Sequence, residues 1–244
     1  MVFEVVTSAD TPELDDQTAE ALREVWPEFI FHDPTSRAYV GRVETYFPRF
    51  DLRLLDDGAV VAGAWGVPLR WDGTVADLPD GYDGSLVRSV EDHERGVAPN
   101  TLSIMAAAVA AGRQGGGLAG RVLTALRERA TEAGLTAVIC PVRPTLKTRY
   151  PLQSMADFAT WRRDDGLHLD PWIRTHQRLG ATVLVPALRS MIIEGTVAEW
   201  ESWTELAFPQ SGDYVVPQAL ATVHIDRDAD HGRYQEPNLW MRHR

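Results

Sequence analysis

The 244-residue sequence contains one cysteine, Cys140. No internal disulfide framework can form, and a reducing cytoplasm is the expected setting. No uninterrupted run reaches the roughly 18 apolar residues of a membrane-spanning helix. The opening "MVFEVVTSADTPELDD" has no basic segment followed by an apolar one, so no secretory leader is expected. Positive charge is scarce: the formal net charge is -11. A nucleic-acid partner is not expected, because displacing counterions from phosphates needs a basic surface. An acidic surface suits solubility, and it also attracts a cationic amine. Repeats, low-complexity tracts and linkers are absent, and no metal is expected. One domain, 1–244, is therefore expected.

What is present is an alternation of short strands and helices. "VFEVV" reads as a strand. "TPELDDQTAEALREVW" reads as a helix, with Thr11 before Pro12 and acids in the first turn. "SRAYVGRVETYF" is a second helix. Asp57-Gly58 joins two apolar runs as a hairpin. Asp72–Ser85 is rich in turn residues and reads as a loop, followed by a short helix at "LVRSVEDHERG". "TLSIMAAAVA" is a strand, and Leu118–Ala133 a helix with Leu118, Val122, Leu126 and Ala130 on one face. "LTAVICPV" is a buried strand. A short helix is expected near Met155–Arg163, and "DPWIRTHQRLGA" is a helix capped by Asp170. "TVLVPA" and "RSMIIEGTV" read as two further strands, which places the core at about 1–197 and leaves 198–244 as an extension packed on it. The order gives an α/β (α+β mixed sheet) class and not a regular βαβ series.

The stretch "GRQGGGLAG" carries the chemistry. Glycines directly between a strand and a helix form a turn, not a spacer. Gly115-x-Gly117-x-x-Gly120 formally matches a dinucleotide fingerprint. The next strand, however, ends in Cys140-Pro141-Val142-Arg143, without the acid that holds a ribose. A helix N-terminus with small residues suits a diphosphate just as well, because its free N–H groups and positive dipole end face the anion.

"QGGGLA" (Gln114–Ala119) resembles the Q/R-x-x-G-x-G/A signature of the GNAT superfamily of acyl-CoA-dependent N-acyltransferases. Val109 stands where that family's longer motif begins, with Ala111 in place of its common proline. "HQRLGATVLV" resembles the family's Y-x-x-L-G passage from helix to strand. The element order also resembles the GNAT-like fold, over about residues 1–197. This implies acetyl-CoA as co-substrate, with Gln114, Gly115, Gly116, Gly117, Leu118 and Ala119 at the pyrophosphate. Ala108 and Val109 would lie along the pantetheine arm. Arg113 and Arg121 are candidates for the more distal phosphate.

The implied reaction is direct transfer of acetyl to a primary amine of a small molecule. The family's usual acid is a tyrosine where His176 stands here, and its usual strand carboxylate is missing. His176 becomes the candidate acid, with Tyr150 a second, and Glu91 is the candidate base. Phe31, His32, Asp33 and Tyr82 are candidate acceptor residues. A covalent acyl-Cys140 is rejected, since a lone cysteine ending an apolar strand acts as a small hydrophobe. The missing carboxylate leaves one alternative open, a non-catalytic acyl-CoA-binding sensor or scaffold. The tail would close over the pocket or form a homodimer contact.

Overall fold

A computed structural model describes residues 3–243. Among the described residues, nine strands form one mixed sheet. Strand β1 (Phe3–Thr7) pairs antiparallel with β2 (Asp51–Asp56), and β2 with β3 (Ala59–Leu69) across the Asp57-Gly58 turn. Between β1 and β2 lie α1 (Asp15–Arg23) and α2 (Pro34–Tyr46). Helix α3 (Gly81–Glu94) leads to β4 (Thr101–Val109), which pairs antiparallel with β3. Then come α4 (Leu118–Glu132), β5 (Ala137–Val142), the single turn α5 (Met155–Phe158) and α6 (Pro171–Arg178). Strand β6 (Thr182–Gly195), α7 (Val197–Thr204), β7 (Gly212–Tyr214), β8 (Val223–Asp226) and β9 (His231–His243) complete the described chain.

The helices form where capping and apolar spacing direct them. Asp33 caps α2 by accepting from Thr35 N and Ser36 N, and Pro34 follows at the first helical position. Asp170 caps α6 in the same way through Trp172 N and Ile173 N. On α4, Leu118, Val122, Leu126 and Ala130 are all buried against the sheet. Each large member of that stripe contributes about 1.5–3 kcal/mol of burial.

Three expectations are corrected. Asp72–Ser85 is not loop throughout: α3 begins at Gly81, in left-handed conformation, where a Cβ would stand 2.3 Å from Ser190. Only glycine permits that close approach of α3 to β6. The helix expected to reach Arg163 stops at Phe158. "TVLVPA" and "RSMIIEGTV" are one strand, β6, because among the described residues β6 pairs with β9 alone and an edge absorbs Pro186 through two register shifts.

A fourth correction relocates the C-terminal stretch. Residues 198–244 are not an extension packed on a finished core. The second half of β9 lies between β5 and β6, with Val138 opposite His243 and Thr182 opposite Arg242. Its first half lies between β6 and β8. The strand is therefore internal to the sheet, and Leu239, Trp240 and Met241 are buried.

Candidate active site

Strands β4 and β5 run parallel but pair over only three residues, Thr101–Ala137 to Ser103–Ile139. Beyond Ser103 they part. A register shift against β3 at this point leaves Met105 as an extra residue in β4, since Trp65 faces Ala106 and Gly66 faces Ile104. Such a bulge bends a strand and ends its pairing. The edge of β4 from Ile104 onward thus presents main-chain groups without a strand partner, in the manner that accepts an extended ligand arm. Ala108 and Val109 continue this edge towards the glycine turn.

The turn is exposed from Ala111 to Gly117. Gly115 and Gly117 have φ of 85° and 75°, and a Cβ on either would meet nothing within 4 Å. Glycine is needed there for the backbone turn and not for room inside the protein. Among the described residues, Gln114 to Gly117 donate no loop hydrogen bond to a backbone carbonyl. With Leu118 and Ala119 opening α4, these N–H groups form a concave donor set at a helix N-terminus. Arg113 is held by an ion pair to Asp56, and Arg121 lies over the Phe3 ring. Both flank the turn.

A cavity of about 460 Å³ fills the space between the parted strands. Ile104–Ala107 of β4, Cys140–Val142 of β5 and Arg143 just beyond it form its walls, and α2 contributes Arg37 and Glu44. Phe31 and Tyr82, both anticipated, line it. His176 also lines it, fully buried beside the edge of Trp172. Asp51, Glu236 and Asn238 line it as well, and sequence reasoning missed all three.

No protein-family model matches the chain. A curated relative, the arginine N-acetyltransferase avaD of Aspergillus versicolor, is 30% identical over 251 aligned residues, covering 91% of this chain and 86% of the relative. The chain belongs to the GNAT superfamily of acyl-CoA-dependent N-acyltransferases. Two solved structures share its fold. The loading GNATL domain of CurA from Lyngbya majuscula matches with a TM-score of 0.63 at 14% identity, over 100% of this chain and 98% of that one. The GphF GNAT-like decarboxylase in complex with isobutyryl-CoA matches with a TM-score of 0.56 at 16% identity, over 100% and 98%.

The remaining candidates do not gather at the GNAT cleft. Glu91 sits on the solvent side of α3, 3.6 Å from Arg95, and does not line the cavity. Tyr150 is 39% exposed, packs edge-on to Trp161, and lies outside the cavity too. His32 stacks on Trp203 at 4.2 Å, away from the lining. Asp33 is fully buried as the cap of α2. The Cys140 thiol lines the cavity, but burial pushes its pKa upward, which disfavours the nucleophilic thiolate.

His176 differs from its sequence-based rationale. Burial, and secondarily the neighbouring His243, lowers its pKa to about 3. At neutral pH it is an uncharged imidazole, so any proton it gives must come from an N–H and not from an imidazolium. Its Nδ1 lies 2.9 Å from His243 Nε2.

Asp33 and Asp83 interact, and burial and then the Asp33 charge raise the Asp83 carboxyl to about 8. Its Oδ2 accepts from Ile192 N, which ties α3 to β6. The folded protein thus holds a proton that the unfolded chain releases near pH 4. This stabilisation is complete below that value and is lost as pH rises through about 8. Asp83→Asn keeps the acceptor without the ionisation. Melts at pH 5, 7 and 9 should show the variant gaining on the parent, by at least ~2 °C at pH 9. Parallel curves would exclude a retained proton.

Proposed function

We propose that the protein transfers acetyl from acetyl-CoA to a primary amine of a small cationic molecule, an amino acid of the arginine type, in the cytoplasm. The observation that carries the acceptor class is the pair Glu44 and Asp51. Both line the cavity, and among the described residues neither forms an ion pair. Burial raises both carboxyl pKa values. At Glu44 the Asp51 charge and then the Asp15 charge add to this; at Asp51 a hydrogen bond with Ser8 and the Arg53 charge offset it in part, and the Asp15 charge adds to it. A cationic ligand relieves that repulsion. Arg37 lies seven residues before Glu44, on the same face of α2, and suits the carboxylate of an amino-acid acceptor. The relative named as an arginine N-acetyltransferase supports this class.

The chain's residues divide the work. The glycine turn would hold the pyrophosphate, and the edge of β4 the pantetheine arm. Proximity of amine and thioester supplies much of the rate. His176 Nε2 would protonate the departing sulfur.

Thiol release from acetyl-CoA, measured with arginine, lysine and an uncharged hydroxylamine-free amine panel, tests the assignment. Basic amino acids should turn over, and Asp51→Asn should raise their KM about 10- to 100-fold with little change for a neutral amine. An equal effect on both classes would remove Asp51 from recognition. A melting temperature raised by acetyl-CoA, without turnover of any amine, would favour the non-catalytic alternative.

A further inference from the structure

The two histidines that meet at 2.9 Å do not face the same space. His176, on α6, lines the acceptor cavity. His243, at the end of β9, lines a separate open depression formed by Thr124, Arg127, Glu128 and Glu132 of α4 with Thr136. The two rings are 0% and 3% exposed. Each carries one further nitrogen, His176 Nε2 and His243 Nδ1, that is buried and has no hydrogen-bond partner among the described residues. A buried polar atom without a partner is uncommon and points to water, a ligand or a catalytic role. Here there are two, one at each end of a single hydrogen-bonded pair.

We propose that His176 and His243 form a proton relay between the acceptor cavity and the outer face of the molecule. His243 is the positioning member, acting through His176. The inference rests on the reading of His176 as the proton donor to sulfur.

The relay works by exchange of tautomers. In one state, His176 carries its proton on Nε2, and its Nδ1 accepts from His243 Nε2–H. As the carbon–sulfur bond breaks, its electron pair stays on sulfur. His176 gives the Nε2 proton to sulfur and takes the His243 Nε2 proton on Nδ1. His243 takes a proton from the depression's water on its own Nδ1. In the other state, His176 Nε2 is a free lone pair. It accepts the proton that the attacking nitrogen must lose, while His243 Nδ1–H returns one to the outer water. One proton leaves nitrogen and one reaches sulfur in each turnover, so the relay ends as it began. Neither ring becomes an imidazolium. That matters because burial lowers both, to about 3 and about 4, and Arg127 lowers His243 further. A lone imidazole in this place would have to store the charge its surroundings oppose.

His243→Gln tests the relay, because an amide holds the hydrogen bond and cannot exchange tautomers. The variant should lose kcat about tenfold or more, keep both KM values, and keep the melting shift with coenzyme A. The solvent isotope effect in mixed light and heavy water should change from curved to linear dependence on deuterium. Added imidazole should restore turnover in His243→Ala. Full activity in His243→Gln would overturn the relay. If it is as fast as the parent while His176→Ala is inactive, the relay alone falls. If His176→Ala is also fully active, the reading of His176 falls with it. Independently of turnover, nitrogen-15 NMR of the unliganded parent at pH 7 should show two neutral rings sharing one proton. An imidazolium on either ring would overturn the proposal even if the variants do not fold.

Discussion

Glu236→Ala should cost about 3–5 kcal/mol of stability, the loss typical of breaking a buried ion pair from one side. Glu236 is 1% exposed, and both its oxygens accept from Arg143 Nε, at 3.0 and 2.9 Å. Tyr234 Oη donates to it as well, at 3.2 Å, and so does Asn238 Nδ2. The same cluster reaches outward. Arg143 donates to Gln218 O, Tyr234 Oη accepts from Leu220 N, and Ser190 Oγ donates to Asn238 while accepting from Tyr82 N. Removing the carboxylate leaves Arg143 as an uncompensated charge with little solvent, at the seam where β5 stops pairing with β9. Chemical denaturation should show the loss directly. Glu236→Gln should lose less, because its amide oxygen still accepts from Arg143. A loss below ~1 kcal/mol in Glu236→Ala would mean that water replaces the carboxylate at Arg143.

The parts of the fold legible in the sequence were those set by local signals. The α4 stripe, the Asp170 cap and the Asp57-Gly58 turn each depend on residues within a few positions, and each formed where expected. The glycine turn between β4 and α4 was legible for the same reason, since strand, glycines and helix are contiguous. The acceptor cavity was not. Its walls join α2, β2, β4, β5, α6 and β9, and nothing local shows that β9 inserts between β5 and β6. Glu236 and Asn238 come to the cavity through that insertion alone. A signal was available in "YQEPNLWMRH": Tyr234, Glu236 and Asn238 alternate through a stretch whose apolar residues argue for burial. Polar side chains at one spacing inside a buried strand mark a site. Glu91 and Tyr150 went astray by the converse error. Their types suited proton transfer, but type says nothing about which way the α3 face bearing Glu91 or the loop bearing Tyr150 turns.

His176→Ala should lower kcat by about 10²- to 10⁴-fold, the range over which a positioned proton donor acts. Other titratable groups line the cavity. Cys140 is a thiol with a raised pKa, and Tyr82 is a phenol whose pKa burial also raises. Glu236 is committed to Arg143, and Glu44 and Asp51 are the acceptor's counter-charges in the reading proposed above. His176 is a lining side chain whose Nε2 is buried and has no hydrogen-bond partner among the described residues. Its ring is fixed by the bond to His243 and the edge of Trp172, so little reorientation is needed at the moment of transfer. Because the loss falls on proton transfer and not on binding, KM for acetyl-CoA should stay within about twofold. The coenzyme A melting shift should persist, which separates lost chemistry from lost folding. Substrates with a more acidic leaving thiol need less protonation, so an acetyl thioester of that kind should recover much of the variant's rate. A uniform loss across leaving groups would instead place His176 in binding or packing, and sulfur would then leave as the thiolate with water as its proton source.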